Sequence, residues 1–544
     1  MSFLLLEASN IEKSFSDVQI LNVKNFKIYA GDRIGFIGPN GSGKTTLLNI
    51  LSGEMRPDSG TITRYCDIAY IRQFGMAGGD IAESAAKLGQ YGVLDKAENP
   101  TISGGEATRI KLAHALSTGH RLIFADEPTS NLDIHGIKQF SHELAALESF
   151  ILISHDRVLL NKHCNRIITL EKGDIATYEG NFDAYKQQAD AKRRQEQFEY
   201  EQYESEKERL QKVYADKKST ATKLDKKPKG MSSSEAKMRN FVATSRSFGG
   251  KARRMEQAAK AVQSRIDSME VKERPAQQVQ IKLDFALTNP PHNKIVLSGS
   301  GISVAYGPAP HSNQGPIRHW ESLPGHAGLQ ILFENAAFEI KNGARVAVQG
   351  PNGSGKTTLL NLIWQGDRSV YRVPKARIGY FRQGFENIDM SKTVLQNAME
   401  DSVQTETTVR SILARLLFAR GDIKKPAHVL SGGERVKLSL AKLLVSGCNV
   451  LLMDEPTNYL DMPSLEVLQA ILREYEGTLL FVSHDREFIN AVCTELLVIR
   501  ERQLISFIGN LDDYDSQLQK KAGQDRMLQE HKLAALAGEI AKCF

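Results

Sequence analysis

No apolar run in this 544-residue chain approaches the ~18 residues that a membrane-spanning helix needs, so a helical integral membrane protein is not expected. The opening MSFLLLEASN lacks both a basic n-region and a long apolar h-region, and reads as a first strand rather than a signal peptide. Cysteine is scarce and unorganised: Cys66, Cys164, Cys448, Cys493 and Cys543 form no C-x-x-C pair. An odd, scattered set speaks for a reducing cytoplasm and against a disulfide framework or a zinc site. A large net charge is also missing, at +6 overall, although the charge is unevenly placed. What remains is 41% hydrophobic and 25% charged residues, the balance of a soluble globular protein. The length fits roughly three or four domains.

One stretch occurs twice. Residues 38–49 read GPNGSGKTTLLN, and residues 350–361 repeat it without a difference. Both match the phosphate-loop pattern G-x-x-x-x-G-K-[ST]. Within Gly38-Pro39-Asn40-Gly41-Ser42-Gly43-Lys44-Thr45-Thr46, the glycines let backbone N–H groups face inward as a nest for anionic oxygens. Lys44 supplies a point charge to the outer phosphates, and Thr45 a hydroxyl for Mg²⁺. Thr46 opens a helix whose N-terminal dipole favours the same anion. Residues 32–37 before it form a buried strand, so the strand–loop–helix context is right. Gly350-Pro351-Asn352-Gly353-Ser354-Gly355-Lys356-Thr357-Thr358 carries the same groups.

Other polar groups follow each loop in one order. Residues 1–30 suggest an antiparallel strand pair, and Phe15 reads either as an adenine-stacking aromatic or as a core residue. Residues 67–73 form a strand that delivers Gln73, suited to hold metal and attacking water. Ser103-Gly104-Gly105-Glu106 caps a helix over residues 107–116, a second anion-binding helix start. The buried strand 122–127 ends in two carboxylates: Asp126 for Mg²⁺, and Glu127 to polarise water. Ser130-Asn131-Leu132-Asp133 comes next, then a strand over 150–153 and His155, placed to reach a γ-phosphate. Taken singly, each of these residues is bland; the order is what carries information.

The order GPNGSGKTT, Gln73, SGGE, ADEP, SNLD, SHD resembles the nucleotide-binding domain of ATP-binding-cassette proteins. The second half repeats it with Gln383, Ser431-Gly432-Gly433-Glu434, Asp454, Glu455, Asn458-Tyr459-Leu460-Asp461 and His484, and neither set lacks a group. The resemblance implies ATP and Mg²⁺ as ligands, with Thr45, Gln73, Asp126, Thr357, Gln383 and Asp454 around the metals. It implies Glu127, Glu455, His155 and His484 as catalytic. It also implies a sandwich in which Ser431 and Gly433 close over one ATP and Ser103 and Gly105 over the other.

Spacing between the copies locates the insertions. Lys356 follows Lys44 by 312 residues, Gln383 follows Gln73 by 310, and Ser431 follows Ser103 by 328. The first copy is therefore short between Gln73 and Ser103, leaving little room for a helical subdomain. A loop at 307–328, rich in Pro, Gly and His, precedes the second phosphate loop and reads as exposed. Either Tyr306 or Phe333 is the second stacking aromatic.

Between the copies the composition shifts. Residues 186–215 read as a long charged helix, residues 220–234 as a break, and residues from Ser232 to about Lys272 as a second long helix, bent near Gly249-Gly250. Together they predict a hairpin. From Lys212 to Arg254, thirteen basic residues face three acidic ones, an excess larger than the +6 of the whole chain. One sign concentrated at a hairpin end favours a polyanion over a solvated face. Lys226, Lys227, Lys229, Arg253 and Arg254 suit phosphates, whereas Phe241, Val242, Arg246 and Phe248, in a tip over 240–250, suit packing against nucleobases.

The fold class expected is α/β: two tandem P-loop ATPase domains (1–184 and 276–514) joined by a helical hairpin (185–275), with a C-terminal helical extension (515–544). Such a chain resembles the ABC-F family, and its short first helical interval, KKPKGMSSSEAKM linker and extension look most like the Vga-type antibiotic-resistance branch. The resemblance implies an ATP hydrolase that is cytoplasmic, ribosome-associated and monomeric off the ribosome. It would enter the E site of the bacterial ribosome, contact large-subunit rRNA and the P-site tRNA, and protect against lincosamides, streptogramin A and pleuromutilins, with phenicols and oxazolidinones as further candidates. It implies no membrane subunit and no stable DNA partner. The alternatives are a housekeeping ABC-F translation factor and the ATPase subunit of a drug-efflux transporter. The short interval between Gln73 and Ser103 argues against the latter.

Overall fold

A computed structural model describes residues 3–15, 18–72, 81–96, 104–117, 119–129, 132, 134–171, 173–225, 248–272, 284–306, 317–318, 329–382, 387–419 and 421–520. The chain divides into two units, Met1–Asp183 with Val279–Phe544, and Ala184–Gln278.

In the first half of the larger unit, β1 (Leu4–Phe15) and β2 (Val18–Tyr29) form the expected antiparallel pair. β3 (Arg33–Ile37) runs into the phosphate loop and helix Lys44–Ser52, and β4 (Ser59–Arg64) returns to pair with β1. β5 (Ile68–Ile71), β6 (Leu122–Asp126), β7 (Phe150–Ile153), β8 (Arg166–Glu171) and β9 (Asp174–Glu179) complete a six-stranded sheet in the order β5-β6-β7-β3-β8-β9. All its pairs are parallel except β8–β9. β6 and β7 are buried throughout, as unbroken apolar strands covered on both faces must be. β3 lies at the centre, so its loop opens at the carboxyl ends of β3, β6 and β7, where a parallel sheet presents its crevice. Leu6, Ile11, Phe36, Leu47, Phe124 and Ile151 belong to one core that joins the strand pair to the sheet.

The second half repeats this plan. β10 (Ile295–Tyr306), β11 (Ile317–Arg318), β12 (Gln330–Lys341) and β14 (Val370–Arg372) make an antiparallel sheet around β10. β13 (Arg345–Gln349), β15 (Ile378–Phe381), β16 (Val450–Asp454), β17 (Thr478–Val482), β18 (Glu495–Arg500) and β19 (Gln503–Ile508) form a sheet ordered β15-β16-β17-β13-β18-β19. The loop at 307–328, expected to be unpacked, lends β11 to the edge of β10 through Val304–Arg318 and Ala305–Ile317. Backbone pairing needs only two extended residues there, and Ile317-Arg318 meets that need despite the loop-forming residues around it.

The short interval in the first half holds more structure than its length suggested. Helix Ile81–Gln90 buries Leu88 and anchors Ser84 Oγ 2.7 Å from His114 Nδ1 on helix Gly104–Ser117. Lys87 pairs with Glu143 at 2.6 Å. The second half has room for two helices, Val394–Glu400 and Glu406–Arg415, before helix Gly432–Val445.

The smaller unit is a helical hairpin. Helix Phe182–Asp225 supplies one limb and Phe248–Asp267 the other. Glu206 sits 3.6 Å from Arg265, and Glu199 bonds Lys272. Seven residues back on one limb match seven forward on the other, which is antiparallel pairing. Leu210 and Ala259 are buried in this unit. The first limb does not break at Thr220: straight-chain residues favour the helix, and Thr222 Oγ1 donates to Lys218 O at 2.8 Å. Among the described residues the second limb begins at Phe248, next to the Gly249-Gly250 pair, and ends at Asp267, short of Lys272. Phe248, expected in the tip, opens this limb. Lys226, Lys227, Lys229, Phe241, Val242 and Arg246 lie outside the described residues, as do residues 521–544.

Candidate functional site

Each phosphate loop is shaped by its glycines. Gly43 has φ +102°, and a Cβ there would lie 2.6 Å from Ile20 Cγ2. Gly355 has φ +104°, and its Cβ would meet the Phe333 ring at 2.9 Å. Only glycine permits both the left-handed backbone and the close approach. Lys44 is buried, and its Nζ donates to Gly38 O and Pro39 O, both at 2.8 Å. Lys356 Nζ donates likewise to Gly350 O at 2.9 Å and Pro351 O at 3.1 Å. Ser42 Oγ and Ser354 Oγ are buried hydroxyls with no hydrogen-bond partner among the described residues. A buried orphan hydroxyl inside a nest of N–H groups fits an anion.

The strand ends supply the carboxylates. Thr45 Oγ1 donates to Asp126 Oδ2 at 2.6 Å, and Thr357 bonds Asp454 in the same way. Burial raises both aspartates above their ordinary range. Glu127 and Glu455 stand next in line with φ of 48° and 49°. A non-glycine residue in that region stores strain, and the neighbouring strand holds it: Glu127 N donates to Ile153 O at 2.9 Å and Glu455 N to Val482 O at 3.0 Å. The turned backbone aims each carboxyl at a histidine. Glu127 Oε1 is 3.1 Å from His155 Nε2, and Glu455 Oε1 is 3.4 Å from His484 Nε2.

Burial and the adjacent Asp126 push Glu127 up to about 8, and burial with Asp454 pushes Glu455 up to about 7. Burial, then Lys44, pushes His155 down to about 4. At neutral pH the Glu127–His155 contact is therefore one between neutral groups, not an ion pair.

The two halves meet at the first loop. Asn40 N donates to Asp461 Oδ2 at 3.0 Å, and Asn40 Nδ2 donates to Tyr459 O at 2.7 Å. Asp461 also caps helix Met462–Glu474 by accepting from Ser464 N. Ser431 caps helix Gly432–Val445 in a capping box with Glu434. A Cβ on Gly433 would lie 2.8 Å from Tyr459 O and 3.2 Å from Asn40 Nδ2, so this approach requires glycine. Lys44, Thr45, Glu127 and His155 from one half, and Ser431 and Gly433 from the other, line one cavity of about 420 Å³ that also reaches Glu455, His484 and Asp485.

Gln73, Ser103 and Gln383 lie outside the described residues, whereas Gly104 and Gly105 begin helix Gly104–Ser117. Phe15 is 45% exposed beside Lys13, which removes the core reading. Phe333 is wholly buried against Gly355, while the Tyr306 hydroxyl is 3.4 Å from Thr358 Oγ1, so both aromatics adjoin the second loop. The sequence reading missed Asp461 and the Tyr459 carbonyl as partners of the first loop. The Asp-Met-Pro start of a helix was the available signal, since Asp before Pro is a strong N-cap pattern.

A family model described as ABC transporter matches residues 21–130 and 333–458. The chain is 30% identical over 583 residues to the probable ATP-binding protein YbiT of Escherichia coli O157:H7, covering 94% of this chain and 99% of that protein. It is 32% identical to the erythromycin resistance ATP-binding protein MsrA of Staphylococcus epidermidis, over 90% of this chain and 96% of that protein. It is 30% identical to the ribosome protection protein VmlR of Bacillus subtilis, over 91% of this chain and 86% of that protein. The chain belongs to the ABC-F family of ATPases.

An ABC-F ATPase hydrolyses ATP with Mg²⁺. The donor sets fit: Thr45 with Asp126, and Thr357 with Asp454, would hold Mg²⁺ through hydroxyl and carboxylate oxygens, and the ion would supply charge neutralisation to the phosphates. Lys44 and Lys356 are each tied to carbonyls of their own loop. Among the described residues no helix is long and apolar enough to cross a membrane.

Proposed function

We propose that this ABC-F ATPase is a ribosomal protection protein of the Vga type. Two ATPs close the two halves, each bound by one loop and the opposite SGGE segment. Glu127 and Glu455 then serve as the water-polarising bases, with His155 and His484 at the γ-phosphates. Closed, the protein occupies the E site of the bacterial ribosome and extends its hairpin along large-subunit rRNA toward the P-site tRNA. Drug leaves, hydrolysis reopens the sandwich, and the protein departs to the cytoplasm as a monomer. Lincosamides, streptogramin A and pleuromutilins are the proposed drugs, with phenicols and oxazolidinones next. The erythromycin in the name of MsrA adds macrolides to the test.

The observation that carries the proposal is the antiparallel hairpin of Glu199–Lys272 and Glu206–Arg265, which in sequence separates the two ATPase halves, with an excess of basic residues over positions 212–254. A single-signed hairpin suits RNA. The test is a Glu127→Gln/Glu455→Gln double variant, which should bind ATP but hydrolyse it roughly 10²–10⁴ times more slowly. It should co-sediment with ribosomes in ATP, and the gene should raise resistance in a susceptible host. Sedimentation no better than that of a Lys44→Ala/Lys356→Ala variant would sink the ribosome reading. Sedimentation without any change in susceptibility would leave a housekeeping translation factor.

A further inference from the structure

Both halves carry Ser-His-Asp-Arg, but the two arginines do different things. Arg157 crosses to the other half: its Nη2 is 3.0 Å from Glu466 Oε1 and its Nε is 3.2 Å from Glu487 Oε2. Its guanidinium lies 5.6 Å from the centre of the Phe182 ring, which holds the side chain at that angle. Arg486 stays at home, with Nε 2.9 Å from Asp512 and Nη1 2.7 Å from Asp515.

The sequence explains why the crossing is one-sided. The repeat offset of 328 puts Lys138 where Glu466 stands, and the offset of 329 puts Val158 where Glu487 stands. An Arg486 reaching across would meet a cation and an apolar side chain. Like charges at such a contact are costly, so only the Arg157 crossing is favourable.

The partners of Arg157 connect it to the chemistry. Arg157 opens the short helix capped by Asp156, directly after His155. Glu466 lies in helix Met462–Glu474, whose cap Asp461 holds Asn40 of the first phosphate loop. Glu487 lies in the helix capped by Asp485, directly after His484. Asp485 also feels the charge of Arg157, and Glu487 feels Asp156, Asp183 and Asp485 as well. One guanidinium thus sits among carboxylates from both halves.

We propose that Arg157 is a positioning residue for ATP hydrolysis, tying the His155 segment of one half to the His484 segment and the Asp461 helix of the other. It does not line the nucleotide cavity, so it acts on how the reacting groups are held and not on how tightly ATP binds. Its absence leaves clustered carboxylates that repel across the interface.

The test is steady-state ATP hydrolysis by the full chain. Arg157→Gln should lower kcat about tenfold with KM for ATP within about twofold, and Arg157→Lys should recover part of the loss. Arg486→Gln, which breaks only contacts within its own half, should keep kcat within about twofold of wild type. Glu466→Gln/Glu487→Gln should lower kcat to a similar degree, and adding Arg157→Gln to that pair should do little more, because the groups act as one unit. An Arg157→Gln protein that melts like wild type and keeps its kcat would overturn the proposal. So would equal losses for Arg157→Gln and Arg486→Gln, or losses that multiply in the triple variant.

Discussion

Replacing Glu127 with Gln should stabilise the nucleotide-free protein, and increasingly so as pH rises. The carboxyl is buried beside Asp126, and its pKa is pushed from the ordinary 4.5 up to about 8. Between those values the folded chain holds a proton that the unfolded chain has released. Wild-type stability therefore falls as pH climbs through that window and levels off above it. At about 1.4 kcal/mol per pH unit, the burial of this one charge costs at most about 5 kcal/mol. The side chain retains 14% exposure, and protein relaxation screens buried charge further, so about 2 kcal/mol is the expected plateau. Gln keeps a hydrogen-bonding group opposite His155 and has no proton to lose. The melting temperature of Glu127→Gln should equal that of wild type near pH 5 and exceed it by about 4–8 °C near pH 8, for a domain of 150–250 residues. Fluorimetric melts without nucleotide across that range measure the difference. A gap that stays flat with pH, or is widest in acid, would refute the burial argument.

Asp461→Ala removes both a helix cap and the partner of Asn40, so ATP hydrolysis should lose about tenfold in kcat/KM, read by ATP titration. Arg253→Ala and Arg254→Ala should each weaken ribosome binding and flatten its salt dependence by roughly one unit of slope, read by sedimentation across a salt series. A scan of Met231–Gly250 against several drugs should find that Phe241, Val242, Arg246 or Phe248 changes relative resistance at constant ribosome occupancy. Resistances that all fall in proportion to lost binding would make these residues anchors only.

Much of the site was legible because it is local. The loop, its strand and its helix lie within about twenty residues, and the carboxylates close a strand whose apolar run is unbroken. What the sequence concealed is mostly non-local. The reach of Arg157 depends on Glu466, more than three hundred residues away, and on what Lys138 and Val158 are not. Helix Ile81–Gln90 was hidden differently: the short spacing left little room for a helical subdomain, while ten residues, rich in Ala and with one Leu to bury, suffice for a single helix. The hairpin was legible as two charged limbs, but its register needed the Glu199–Lys272 and Glu206–Arg265 pairs.

Duplication within one chain permits what a symmetric dimer does not. In a twofold dimer every contact occurs twice, so an arginine that crosses to a glutamate on one side must do so on the other. Here the phosphate loops are identical over twelve residues, yet Lys138 and Val158 stand at the repeat positions of Glu466 and Glu487, so only Arg157 finds carboxylates in the other half. Linking the halves also makes closure an intramolecular event, at an effective concentration on the order of millimolar. Neither half then needs a strong interface to find the other, and the interface is free to specialise. The Arg157 contact is partly exposed and modest in energy by itself. Its partners Glu466 and Glu487 lie on the helices that Asp461 and Asp485 cap, so in the proposed role it would bias which groups are aligned first as the halves close. In the proposed role of Arg157, two repeats that carry the same motif residues would then hydrolyse ATP unequally.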